Sequence, residues 1–125
     1  MGLLFKSIMS KDIKTKMKFK FNYKDRDFEL EVRKCKNVLS KTRGLMFKKN
    51  SKPLLFVFKK LIKQSIHSFF CQPFIAIWFD NDKIVDVKLI KSWAVSIKPK
   101  EKFNKLLEIP SNSEAFSKFT DERNL

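Results

Sequence analysis

From Ile13 to Lys24 the chain alternates. Ile13, Thr15, Met17, Phe19, Phe21 and Tyr23 fall on one side, and Lys14, Lys16, Lys18, Lys20, Asn22 and Lys24 on the other. A period of two predicts a β-strand with one buried face. Asp25-Arg-Asp27 reads as a turn, after which Phe28, Leu30 and Val32 alternate with Glu29, Glu31 and Arg33. A four-residue loop over Lys24–Asp27 predicts a hairpin in which Tyr23 faces Phe28, Phe21 faces Leu30 and Phe19 faces Val32. On the polar side it sets Lys20 opposite Glu31. Part of the lysine face is thereby answered by carboxylates.

The stretch from Ser40 to Phe79 carries the densest apolar runs and the one internal glycine, Gly44. Asn37 is placed to cap a short helix over Val38–Met46. Lys48-Lys-Asn-Ser-Lys-Pro53 is a basic loop, Leu54–Phe58 reads as a short buried strand, and Lys59–Gln64 reconnects. Ile66–Phe70 is a further strand candidate, ended by Pro73. Phe74–Phe79 and Ile84–Ile90 form a second hairpin around Asp80-Asn-Asp-Lys83. A four-residue loop sets Trp78 against Val85, Ala76 against Val87 and Phe74 against Leu89, leaving Asp86 and Lys88 on the wetter side. Trp93–Ile97 and Leu106–Ile109 are strand candidates, and Ser111-Asn-Ser-Glu114 has capping-box spacing for a helix that turns Phe116 and Phe119 inward. Short strands at turn-punctuated spacing predict a mainly β (α+β) domain: a small β-barrel or two-layer antiparallel sheet with one or two short helices. One domain over residues 13–121, preceded by a flexible arm at 1–12, accounts for the whole pattern.

Composition changes this picture in one respect. A hydrophobic share of 43% with fourteen Phe suffices for a core at 125 residues. The net charge is +15, and residues 1–50 hold fifteen basic against five acidic side chains. Such a field attracts phosphate polymers and anionic surfaces. Lysine outnumbers arginine sixfold and glycine occurs twice, which an A/T-rich coding bias combined with a need for solubility also produces. The two cysteines, Cys35 and Cys71, have neither metal nor redox spacing. With no export signal and no apolar window long enough for a membrane span, the expected setting is cytoplasmic with reduced thiols.

A set of motifs in fixed order follows: Arg43-Gly-Leu-Met-Phe47, Leu54-Leu-Phe-Val-Phe58, Ser65-Ile-His-Ser-Phe-Phe70, Pro73-Phe-Ile-Ala-Ile-Trp-Phe-Asp80, Lys83-Ile-Val85 and Leu106-Leu-Glu-Ile-Pro110. Between about Phe19 and Asp121 the chain resembles domain-of-unknown-function family 192, in its archaeal type with His67 ahead of two aromatics. The resemblance implies a compact β-rich domain and brings no settled activity. Ile75 stands where that family usually carries an aspartate, Asn112 replaces a glycine, and Thr120-Asp121 replaces a Gly-Asp pair.

Candidate chemistry is sparse. His67, Cys71 and Asp80 do not make a zinc set, so no metal and no cofactor is expected. A His67–Cys71 dyad or carboxylate chemistry at Asp80, Asp82 and Asp86 would need convergence that the spacing does not supply; Asp80-Asn-Asp82 reads as turn residues. Arg43, scarce among lysines, either grips a phosphate or carboxylate or serves the fold by capping carbonyls or pairing with Glu108. The expectation is a non-enzymatic module for an anionic partner, nucleic acid or an acidic protein surface. Its anion-binding candidates are Lys14, Lys16, Lys18, Lys20, Arg43, Lys48, Lys49 and Lys52. The rivals are an interaction or scaffold domain whose charge keeps it soluble, and a small-ligand or enzyme pocket around Arg43, His67 and Asp80.

Overall fold

The computed structural model describes residues 13–35, 52–65, 73–91 and 97–123. Six strands and one helix lie among them: β1 (Ile13–Tyr23), β2 (Arg26–Cys35), β3 (Leu54–Ile62), β4 (Phe74–Asp80), β5 (Lys83–Ile90), β6 (Phe103–Pro110) and α1 (Glu114–Arg123). The strands form one sheet in the order β1-β2-β3-β6-β4-β5. It is mainly antiparallel; β2 and β3 pair in parallel. The fold is therefore mainly β, as the alternating pattern predicts. The expected helix over 38–46 and strand over 66–70 lie outside the described residues, as do 92–96 of the expected Trp93–Ile97 strand.

The sheet curls into a half-barrel. Its inner face carries Phe21, Phe28, Leu30, Val32, Leu55, Ile75, Ile77, Phe79, Leu107 and Ile109. Curling brings Phe19 of β1 edge-on to Phe79 of β4, with ring centroids 5.4 Å apart, although three strands separate them in the sheet. Helix α1 seals this interior with Phe119, fully buried at 5.0 Å from Phe28 and 5.8 Å from Tyr23. The outer face of β3, β4 and β6 carries a second apolar cluster of Leu54, Phe56, Phe74, Ala76, Trp78, Phe103 and Leu106. The unbroken apolar run of β4 follows from this, because both of its faces are covered.

The first hairpin is tighter than the four-residue loop predicts. The pairs are Phe21 with Phe28, Phe19 with Leu30, and Met17 with Val32; Lys20 lies opposite Glu29 and Lys18 opposite Glu31. Only Lys24 and Asp25 form the turn, with φ of 51° and 64°. Positive φ at both central residues matches the strand twist of a two-residue hairpin. Neither residue is glycine, so the usual signal is missing from the sequence. Because the loop shortens by two residues, each side chain from Lys16 to Arg33 keeps its predicted face and only its partner changes; the register shifts once, between Ile13 and Lys16.

The second hairpin departs differently. Asp80 pairs with Lys83 and Phe79 with Ile84, but Trp78 pairs with Asp86, so Val85 is an extra residue in a β-bulge. The bulge reverses the faces beyond it. Val87 now packs toward the inner cluster, and Leu89, opposite Ile75, is 48% exposed at the sheet edge. Buried Asp86 lies opposite Trp78 instead of on a separate wet side.

The helix also begins later than its capping-box spacing suggests. Ser113, not Ser111, is the cap. Its Oγ accepts from Phe116 N at 3.3 Å and donates to Pro110 O at 2.7 Å. Phe116 and Phe119 both pack against the inner cluster, as expected.

Candidate functional site

The polar face of the first hairpin presents exposed Lys16, Lys18 and Lys20. It does not present them alone. Glu29 lies 3.8 Å from Lys18 Nζ and 3.4 Å from Lys20 Nζ. Lys52 donates a hydrogen bond to Glu31 across the neighbouring strands. That hydrogen bond first, then the attraction of the Lys52 charge, holds the Glu31 carboxyl below its usual range; Lys16 and Lys18 add to the effect and desolvation opposes it. The candidates of this region are thus largely engaged within the fold.

Beside the hairpin lies a groove of about 610 Å³. Glu29, Glu31 and Lys52 form one wall, Glu114 and Lys118 of α1 the other, and Leu30, Pro53 and Ala115 also line it. Its charges are mixed, and among the described residues Lys52 is the one member of the expected anion set that reaches it.

Asp80 ends β4, where its Oδ1 accepts from Asn81 Nδ2 at 3.0 Å. Asn81, at φ 57°, exchanges hydrogen bonds with Asn104: its backbone N donates to Asn104 Oδ1 at 2.8 Å, and Asn104 Nδ2 donates to Asn81 Oδ1 at 3.0 Å. Asp82 lies 3.7 Å from Lys105. These acids serve the turn. Asp86 uses both carboxylate oxygens on backbone donors, Val87 N at 2.9 Å and Lys100 N at 3.0 Å. Glu108, the alternative partner for Arg43, is fully buried on β6 opposite Ala76. Arg43, Lys48, Lys49, His67 and Cys71, and the side chain of Lys14, lie outside the described residues. The pocket expected around Arg43, His67 and Asp80 therefore has only Asp80 in view. Ile75 is fully buried in the inner cluster, where an isoleucine suits its surroundings.

One basic region is missing from the sequence-based site. Strand β3 does not reconnect at Lys59 but continues to Ile62. Its register against β6 jumps there: Val57 pairs with Lys105 and Ile62 with Phe103, so residues 58–61 oppose Asn104 alone. This wide bulge leaves Lys59, Lys60 and Leu61 exposed. Lys63 follows Ile62 while Lys102 precedes Phe103, so the two stand side by side where the strands part. Lys98 and Lys100 are exposed on the segment leading to β6. None of these lysines has a carboxylate within 4 Å among the described residues. The run Lys59-Lys-Leu-Ile-Lys63 is visible in the sequence, but a regular strand would have divided its lysines between two faces.

Among the described residues no helix is long and apolar enough to cross a membrane. No protein-family model matches the chain. Over 91 residues it is 35% identical to a UPF0127 protein of Pyrococcus horikoshii, covering 70% of this chain and 78% of that one. It is 31% identical to a UPF0127 protein of Pyrococcus furiosus with the same coverage. A crystal structure from Sinorhizobium meliloti 1021, described as that of a candidate transcription regulator, superposes with a TM-score of 0.65 over 88% of both chains at 15% identity. At that identity the likeness speaks for the fold.

Proposed function

We propose that this chain, which belongs to the UPF0127 family, is a non-enzymatic binding module for an anionic partner, a nucleic acid or an acidic protein surface. The observation that carries the reading is the set of exposed lysines without carboxylate partners among the described residues, on a chain of net charge +15. The description of the Sinorhizobium protein as a candidate regulator of transcription is compatible with the nucleic-acid alternative. The resemblance to domain-of-unknown-function family 192 belongs to the same reading, with residues 13–121 acting as one β-rich domain in a cytoplasmic setting.

The test is binding of a random-sequence oligonucleotide and of polyglutamate, each at low and at high salt. Binding that weakens steeply with salt supports the reading, since released counterions drive such association. Failure to bind either polymer at low salt removes it.

A further inference from the structure

We infer that the partner is a nucleic acid, gripped by its phosphate backbone on the basic surface that the β3 bulge forms with the start of β6. This rests on the anion-binding reading and gives it a place and a ligand class.

The geometry supplies the surface. The bulge over residues 58–61 lifts Lys59 and Lys60 out of the alternation of β3, and the register sets Lys63 beside Lys102. Four exposed lysines thus lie at the end of one strand pair, and Glu101 is the acid nearest them in the sequence. Among the described residues they differ from Lys18 and Lys20 in having no ion-pair partner to give up before binding.

Composition selects the ligand. Protein–protein interfaces are depleted in lysine and enriched in aromatic rings, whereas nucleic-acid interfaces are strongly basic. Here lysines surround a single exposed apolar side chain, Leu61, 44% exposed. No aromatic ring is fully exposed among the described residues, so among them stacking on bases is not what this surface offers. Lysine binds phosphate as a point charge without bidentate geometry. Recognition here is therefore of backbone charge, tolerant of base sequence.

The experiment titrates the full chain against a short random-sequence DNA duplex across a salt series and compares two variants with equal charge change. The Lys59→Gln/Lys60→Gln/Lys63→Gln variant should bind at least about tenfold more weakly, with a salt slope shallower by roughly two to three. The Lys16→Gln/Lys18→Gln/Lys20→Gln variant should stay within about threefold, because Glu29 already lies within 4 Å of Lys18 and Lys20, which leaves Lys16 as the one uncommitted charge of the three among the described residues. In parallel, acetylation of the wild-type chain with and without duplex should show Lys59, Lys60 and Lys63 protected and Lys18 and Lys20 unprotected. This arm does not depend on how the variants fold. Equal losses in the two variants, or uniform protection, would overturn the assignment of the surface while the anion-binding reading stands. Wild-type binding to polyglutamate but not to duplex overturns the nucleic-acid ligand alone; binding to neither overturns both.

Discussion

The first hairpin and the β3 bulge carry similar numbers of lysines and use them in opposite ways. On the hairpin, regular alternation from Lys16 onward sets Lys16, Lys18 and Lys20 across from Arg33, Glu31 and Glu29 of β2. The cations become part of the fold's own polar surface. On the bulge, irregularity removes the cross-strand partner, since four residues of β3 face Asn104 alone. Charge density read along a chain therefore says little about available charge. What decides availability is whether the local backbone supplies an answering group.

Three measurements would break or sharpen this contrast. The largest effect is expected from Phe119→Ala. The ring is fully buried among Phe21, Tyr23 and Phe28, and its removal should cost about 3–5 kcal/mol in a denaturant melt. Amide exchange should then accelerate most in β1 and β2. Equal acceleration in β4 and β6 would show that the helix does not pin the hairpin.

Asp86→Ala comes next. It removes a buried carboxylate that accepts from Val87 N and Lys100 N, and hydrogen bonds to charged groups contribute about 1.5–3 kcal/mol. Stability should fall by about that amount, with amide exchange rising at Lys100. Unchanged exchange there would mean that the segment leading to β6 is held by other contacts.

The smallest effect concerns pH. The folded-state value of Glu31 is depressed by Lys52, so its contribution is present above the unfolded carboxylate value and is lost as pH falls through the folded value. The Lys52→Ala variant should therefore show a slightly shallower acid loss of stability than wild type. Because Glu31 is exposed, the difference is small. Identical acid profiles would show that Glu31 gains nothing from Lys52, and would return that lysine to the available set.

Much of the architecture was legible in the residues. The strict alternation of Lys16–Tyr23 and Phe28–Arg33 fixes which side chains face inward, because a strand offers only two faces; the register shift between Ile13 and Lys16 is not visible in that alternation. The contiguous apolar run Phe74–Phe79 announces a strand, but the hairpin predicted from the sequence leaves one side half wet, whereas the structure covers both faces of that strand. Registers were less legible. Lys24 and Asp25 adopt positive φ without glycine, and Val85 is inserted in a run that reads as ordinary alternation. Both depend on twist and on contacts made by distant strands. The site was least legible, since the lysines of the bulge become a group only when β3 loses register against β6, about forty residues further along.

The place of β6 has a consequence for how the molecule is made. This strand, the last among the described residues, lies between β3 and β4, and in the sheet it alone joins the β1-β2-β3 part to the β4-β5 part. Pairing at such long sequence separation is slow, because a large loop must close before any contact rewards it. On the ribosome, the two parts have no ladder between them until Phe103–Pro110 has emerged. The keystone of the half-barrel is thus delivered after the other five strands, and a chain cut before it would leave two unjoined sheets with open edges.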